Sequence, residues 1–424
     1  MTTAIKSPPP PSGPRRIGFA EFVVLVAGMM ACQALAIDVM LPALPTIVGV
    51  LNVSNPNHGQ WIVTAYVAGL GVGQLFWGIM SDRFGRRPIL LVGLGLYALA
   101  SICCGLSQSF AALLAWRVVH GLAAASVVVA RSVVRDLYAG RQMAKVMSLT
   151  FIVFLLSPIV APSIGQLILL RAPWRSIFIV CGVYAAVVWM WTLLRLPETL
   201  HPEYRMTLTR PHLARALKLI LGNRISLGYT LATSVLLGSL LAYVGMAQQI
   251  FGGVFHRPTL MPTMFALCAA AMGVASFLNS SIVERLGTRR ISHTALLAFI
   301  LVALLHVLVA AYGFERLWTF VVLQAATMAC FSLALANFGA MAMEPLGSVA
   351  GIGAAMQGFI SSFGGALVAA GIGSLFNGST VPLAAGALCC GLLSLLCVLL
   401  AEQGRLFRTQ SGIVNPAAAG EMAI

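Results

Sequence analysis

The sequence predicts an all-α membrane protein: twelve transmembrane helices in two six-helix bundles related by pseudo-two-fold symmetry. Three observations predict it. First, 59% of the 424 residues are apolar and 9% charged, with a mean hydropathy of +0.94, which leaves too few polar side chains to cover a water-facing surface. Second, a hydrocarbon crossing takes about 20 apolar residues, so twelve crossings use roughly 240 and leave the rest for loops and tails. Third, a short pattern of acid, arginine and glycine recurs half a chain length apart. This composition excludes a soluble domain, a disulfide-rich secreted scaffold, a disordered chain and a nucleic-acid binder. The net charge of +15 needs its own explanation.

Hydropathy places the spans near residues 18–40, 60–80, 89–108, 110–132, 146–169, 175–194, 225–250, 260–283, 293–313, 317–339, 351–375 and 382–401. The last two are divided most sharply. Residues 345–401 carry no charge, are too long for one span, and are broken at Asn377-Gly378-Ser379-Thr380. Charge then sorts by side: 21 of the 26 Lys and Arg fall in the tails and alternate loops, and only Arg171, Arg175, Arg257 and Arg316 face the other way. Basic residues are retained on the cytoplasmic side, so the excess charge is an orientation signal that puts both termini in the cytoplasm. It requires no nucleic-acid partner. Arg117 alone is left inside a span.

The chain divides accordingly. Residues 1–16 are Pro-rich and polar and read as a disordered cytoplasmic tail, and the first apolar segment has no cleavage site after it, so no signal peptide is expected to be removed. Residues 17–194 form the N-terminal bundle, the polar stretch 195–222 a central cytoplasmic loop, 223–402 the C-terminal bundle and 403–424 a cytoplasmic tail. The repeat supports the division. Asp82-Arg83-Phe84-Gly85-Arg86-Arg87 after span two matches Glu284-Arg285-Leu286-Gly287-Thr288-Arg289 after span eight, offset by 202 residues. Six spans between two copies leave both on one membrane face, as in parallel repeats.

The run Gly78-Ile79-Met80-Ser81-Asp82-Arg83-Phe84-Gly85-Arg86-Arg87-Pro88 resembles the signature loop of the major facilitator superfamily, and it lies between spans two and three as it does there. Three further runs are similar to the bicyclomycin-resistance (Bcr/CflA) drug-efflux transporters: Asp38-Val39-Met40-Leu41-Pro42-Ala43-Leu44-Pro45, Arg117-Val118-Val119-His120-Gly121-Leu122-Ala123-Ala124-Ala125 and Ser157-Pro158-Ile159-Val160-Ala161-Pro162-Ser163-Ile164-Gly165. The likeness covers nearly the whole chain, through Pro197-Glu198-Thr199-Leu200. Met40 stands where that family usually has Tyr, and Gln166 where it usually has a second Gly. The resemblance implies the major facilitator fold, no catalysis, and proton-coupled export of drug-like molecules.

The residues also speak for themselves. Asp38 is the one acid well within an apolar segment, where an ionised carboxylate is expensive and a functional role is the first hypothesis. It reads as the proton-coupling group, against a neutral Asp that hydrogen-bonds between helices. Arg117 cannot discharge, so inside a span it needs an anion, a carbonyl cluster or a wet cavity. Asp38 is its candidate partner, in a switching or a permanent pair. His120, three positions on, shares that helix face and either relays protons or packs. Tyr66, Gly69, Gly73 and Trp77 form one stripe of span two that contacts substrate or packs. Among the intraspan amides Gln33, Gln248, Asn279, Asn337 and Gln357, each more often joins helices than ligands. Gln33, Met40, Tyr66 and Gln357 are taken as the substrate-cavity set. The loop residues Gly78, Asp82, Arg83, Gly85, Arg86 and Arg87 are read as a conformational switch, in which Asp82 caps the next helix or pairs with an arginine of a neighbouring loop. Pro158 and Pro162, followed by Gly165, should bend span five and gate a cavity. In span eleven Gly364, Gly365, Gly371 and Gly373 offer a smooth face, placed opposite Gly78.

Nine cysteines, all in spans and without paired spacing, read as apolar fillers, so no metal and no cofactor is expected. No phosphate-binding loop is present to argue for ATP. The leading functional expectation is a proton-coupled antiporter that exports drug-like small molecules from the cytoplasm by alternating access. The alternative is an exporter of a metabolite, such as an amino acid, short peptide, sugar or siderophore, on the same scaffold. Its expected partners are a small-molecule substrate, protons and the lipid bilayer, its expected place is the bacterial inner membrane, and its expected state is a monomer.

Overall fold

The computed structural model describes residues 17–138, 140–201, 203 and 217–407. The expected N-terminal tail, half of the central loop and the C-terminal tail from residue 408 lie outside the described residues. Within them the chain is all-α, with no strand. The helices are α1 (Phe19–Asp38), α2 (Leu44–Val50), α3 (Trp61–Phe84), α4 (Arg86–Leu106), α5 (Phe110–Ala124), α6 (Val127–Leu137), α7 (Gly140–Leu169), α8 (Arg175–Arg195), α9 (Arg224–Gln249), α10 (Met261–Leu286), α11 (Thr288–Ala311), α12 (Leu317–Met343), α13 (Ala350–Ser374) and α14 (Val381–Ala401). Among the described residues eleven helical segments are long and apolar enough to cross a membrane, and Leu156–Leu169 within α7 adds a shorter apolar stretch. The fold is the expected one of long apolar helices.

Helices α1 to α8 belong to one compact unit, together with Ala247–Gln249 and Thr259–Thr263. The remaining helices form a second unit.

In the first unit α3 packs on α5, α4 on α8 and α1 on α7. The α3–α5 contact is set by glycines. A Cβ on Gly69 would lie 2.1 Å from the Val118 carbonyl oxygen, and one on Gly121 would lie 1.8 Å from that of Tyr66, so neither position admits a side chain at this backbone separation. Aromatic side chains then tie the helices together through their polar tips. Tyr97 donates to the Cys32 carbonyl at 2.6 Å, Tyr184 to Gly28 at 3.1 Å, and Trp189 to Leu91 at 2.9 Å. With no water in the hydrocarbon, a buried hydroxyl or indole N–H finds its partner on the next helix.

In the second unit α11 packs on α12 and α14, around Tyr229, Phe299, Phe331 and Phe338. Asn337 on α12 donates to Asn279 on α10 at 2.8 Å, the helix-joining role that intraspan amides usually take. Gly364 and Gly365 of α13 lie against Ser234, Leu237 and Gly238 of α9, and Gly371 faces open space. All nine cysteines are free thiols.

Candidate functional site

The first span is not one helix. Pro42 lacks the N–H that would bond to the Asp38 carbonyl, and Pro45 lacks the one for Leu41, so the α-helical ladder cannot continue past Asp38. The structure obeys this chemistry: α1 ends at Asp38, a 3-10 turn spans Leu41–Ala43, and α2 resumes at Leu44. Asp38 therefore sits at a helix C-terminus inside a membrane span, 6% exposed. Helix C-termini carry partial negative charge, a second reason, besides burial, why an ionised carboxylate is costly there. The glycine of span five secures the same corner from outside. A Cβ on Gly165 would lie 1.9 Å from the Val39 carbonyl oxygen, so α7 crosses the break at backbone contact.

Arg117, on α5, is fully buried. Its Nε donates to the Ile62 carbonyl at 3.0 Å, and its Nη1 to the Ala36 carbonyl at 3.1 Å and toward His120 Nδ1 at 3.2 Å. Its guanidinium carbon lies 4.4 Å from the centre of the Tyr66 ring. Of the two pairings expected with Asp38, the permanent one is thus corrected. Among the described residues Arg117 makes no ion pair with Asp38 and is held by carbonyls and an aromatic face instead. The physical reason is the break itself: ending α1 at Asp38 leaves the Ala36 carbonyl in the last turn as an acceptor, and Arg117 caps it. One guanidinium nitrogen, Nη2, has no partner among the described residues.

His120 is buried too, between Tyr66 and Tyr97, with ring centroids 5.3 and 4.2 Å away. Arg117 has only protons to give, so His120 Nδ1 accepts, which leaves the ring proton on Nε2. Nε2 also has no partner among the described residues. Two buried N–H groups of one cluster, one on Arg117 and one on His120, are therefore available to a new acceptor.

Of the expected cavity set, Tyr66 is fully buried and gives its hydroxyl to the Gln33 carbonyl at 3.2 Å. Trp77, at the other end of its stripe, gives its indole N–H to Leu122 at 2.6 Å. That stripe packs on α5. Met40 is buried, Gln33 is half-buried, and Gln357 is half-buried with its amide 3.5 Å from the Gly339 carbonyl. The helix α7 runs unbroken through Pro158 and Pro162.

The loop residues are brought together. Gly85 separates α3 from α4 with φ at +107° and ψ at 159°, a region open essentially to glycine alone. Asp82 does not cap the next helix; it pairs with Arg86, whose Nε also bonds Asp136 at 2.9 Å. The cap comes from afar. Glu198, after α8, accepts from the backbone N–H of Arg86 at 2.9 Å and of Arg87 at 3.2 Å, placing a carboxylate on the positive end of α4. Arg87 reaches the Leu193 carbonyl at 2.7 Å, and Arg83 is exposed beside the Phe84 ring. Gly78 joins them through its carbonyl, which accepts from the Ser81 hydroxyl at 2.8 Å, and Ser81 in turn accepts from Arg86 at 2.8 Å.

Two buried polar clusters were not legible from the sequence. His306 Nε2 lies 2.7 Å from Glu315, which also accepts from Thr380. Tyr229, His293, Arg289 and Glu402 form the other. A histidine in an apolar span was the available signal for both.

Comparison with known proteins adds three findings. The family described as Major Facilitator Superfamily matches residues 26–369. A bicyclomycin resistance protein homolog of Haemophilus influenzae is 33% identical over 277 residues, 65% of this chain and 69% of that one, and an uncharacterized MFS-type transporter of Bacillus subtilis, YdgK, is 31% identical over 384 residues, 88% of this chain and 93% of that one. Among solved structures, a D-xylose-proton symporter superposes with a TM-score of 0.71 over 91% of this chain and 99% of its own at 12% identity, a likeness of fold.

Proposed function

The chain belongs to the major facilitator superfamily, a multi-pass bacterial membrane protein that moves small molecules across the bilayer, and from that premise we propose that it exports a small organic metabolite in exchange for protons. The observation that carries the proposal is Asp38, a buried carboxyl at a proline-enforced helix break, in the same turn whose Ala36 carbonyl holds a buried arginine that is otherwise kept by one more carbonyl, a histidine and an aromatic ring.

The coupling is a matter of charge. With Asp38 protonated, nothing at the end of α1 competes with the carbonyls for Arg117. Once Asp38 loses its proton, a buried carboxylate without a partner is costly, and the cation at hand is the guanidinium that already caps Ala36 two residues back. Exchanging carbonyl for carboxylate moves Arg117, and with it α5, relative to α1. The proton state of Asp38 is thereby converted into a helix movement. His120 acts as a positioning residue that keeps the guanidinium in register. One proton entering across about 100 mV releases about 2.3 kcal/mol, enough for roughly a fiftyfold gradient of a neutral solute.

The metabolite reading draws on the disposition of the aromatics. Tyr66, Tyr97 and Trp77, which could wall a cavity for apolar drugs, are buried and bonded to backbone carbonyls, whereas Gln33 and Gln357 remain as half-buried amides. The same fold serves a protein described as a D-xylose-proton symporter, so a polar solute lies within its range. The second reading, export of drug-like molecules by a Bcr/CflA-type transporter, is favoured by the 33% identity to a bicyclomycin resistance protein homolog. In both, the chain works in the inner membrane with its termini in the cytoplasm, the side on which basic loops are retained.

Proton release from purified protein on addition of candidate solutes tests this. Wild type should release protons with amino acids, short peptides, sugars or siderophores, and Asp38→Asn should not. Release with drugs alone would select the second reading, and release from Asp38→Asn equal to wild type would remove Asp38 from the coupling.

A further inference from the structure

Beyond α14 the chain turns back on itself. Gln403 has φ at +55° and Gly404 at +75°, and the Gly404 N–H reaches the Leu399 carbonyl at 2.8 Å, which is a Schellman-type stop. The turn brings Phe407, itself at φ +63°, onto α11. There the Phe407 N–H donates to His293 Nδ1 at 3.0 Å, and the two rings meet edge to face at 5.6 Å. His293 Nε2 lies 2.9 Å from the Tyr229 hydroxyl, Tyr229 lies 2.8 Å from Glu402 Oε1, and Arg289 Nε bonds that same oxygen at 2.8 Å.

The protons of this chain can be assigned without ambiguity. A backbone N–H only donates, so Nδ1 of His293 is a lone pair. Glu402 is ion-paired to Arg289 and accepts, so the single proton of Tyr229 goes to Glu402, and Tyr229 must in turn accept from Nε2–H. The anchoring of Phe407 therefore needs one neutral tautomer of one histidine.

We propose that His293 is a proton-operated latch for the segment 403–407. A proton on Nδ1 places donor against donor at Phe407, while the bond from Nε2–H to Tyr229 survives. The groups around the ring set how readily that proton is taken up. Arg289, one turn earlier on α11, opposes the added charge; Glu402, at the end of α14, favours it; Tyr229 on α9 is indifferent; Glu344 after α12 lies 3.6 Å from Arg289 and answers that charge. The tail contributes the main chain and ring of Phe407 and the half-buried Leu406, which packs on the core of the second unit, and Arg405 is exposed. Glu402 stays bound to Arg289 and Tyr229, so the release is confined to the residues after it, and the left-handed backbone at Gln403 and Phe407, costly for residues with a Cβ, relaxes with it.

Hydrogen–deuterium exchange of the full chain tests the latch at about pH 8 and about pH 4.5, the lower value set about two pH units under the ordinary imidazole value near 6.5 so that a buried ring is reached. In wild type, protection of the peptide covering 402–407, corrected for intrinsic rate, should fall up to about tenfold on acidification, the worth of one hydrogen bond. Peptides covering Tyr229 and Arg289 should not change. His293→Gln offers an acceptor and a donor that do not titrate, and should keep the tail protected at both pH values. Wild-type protection independent of pH, or an equal loss in His293→Gln, would overturn the proposal. Phe407→Pro removes the anchoring N–H and, because proline holds φ near −65°, also the +63° backbone of the docked turn, and it covers the case in which His293→Gln does not fold. Its tail should exchange at both pH values like acidified wild type, and a retained pH dependence there would also overturn the latch.

Discussion

The loop at 82–87 and its counterpart at 284–289 share a residue pattern and a backbone, yet they are held by different means. Each turns on a glycine with positive φ, +107° at Gly85 and +80° at Gly287, and in each the glycine N–H closes the preceding helix, on Ser81 at 3.1 Å and Val283 at 2.9 Å. At Gly85 a Cβ would also lie 2.5 Å from Glu198, whose carboxylate caps α4; at Gly287 it would meet nothing. Arg86 is buried between Asp82 and Asp136, whereas Arg289 answers Glu402 and the exposed Glu344, and Glu284, the counterpart of Asp82, is exposed. The repeat thus preserves the turn and lets the clamp diverge. In the first unit the clamp grips the loop itself, and in the second it grips the chain after α14.

Breaking the clamps should separate the loops most. Arg86→Ala leaves two acids without their shared cation and should cost about 3 kcal/mol, against about 2 for Arg289→Ala, where the buried Glu402 keeps the Tyr229 hydroxyl as a donor and Glu344 is solvated. Thermal unfolding midpoints of the purified variants measure this, and equal losses would erase the distinction. The glycines come next. Gly85→Ala should cost about 2–3 kcal/mol from conformation plus displacement of Glu198, and Gly287→Ala about 1 from conformation alone, read from the same midpoints. The smallest effect is expected for Glu198→Gln, which keeps an acceptor for the two N–H groups and loses only the charge on the helix terminus, about 0.5–1 kcal/mol. Its loss should shrink in high salt, and an unchanged loss would argue that the hydrogen bonds alone matter.

The sequence showed the loops and not the clamps, for a physical reason. A glycine between an acid–arginine pair and a basic residue is a local signal, because the turn needs positive φ within six residues. Glu198 caps α4 from 112 positions away, and nothing local to either end announces it. The same holds at the candidate site. Asp38 stood out because a carboxylate in a span is expensive wherever it points, and the prolines that end α1 behind it were visible. Whether Arg117 meets that carboxylate or the carbonyl of Ala36, two residues earlier, depends on how α1 and α5 are held by their neighbours, where Gly69 and Gly121 set α5 against α3 and Gly165 sets α7 against the break after α1. Hydropathy likewise placed the spans well in their middles and short at their ends. The third span was placed at 89–108, but α4 starts at Arg86, and the ninth at 293–313, but α11 starts at Thr288, because charged residues held by partners continue a helix that an apolar window stops counting.

The central claim is that the proton state of Asp38 drives transport. It is tested most directly in liposomes holding wild type or Asp38→Asn, by comparing solute exchange at equal concentrations with uphill export under an imposed pH gradient. The account predicts that Asp38→Asn loses uphill export, because without a titrating group at position 38 no proton movement can shift Arg117, while any solute exchange that remains shows that the variant is folded and inserted. Uphill export by Asp38→Asn at the wild-type level would contradict it.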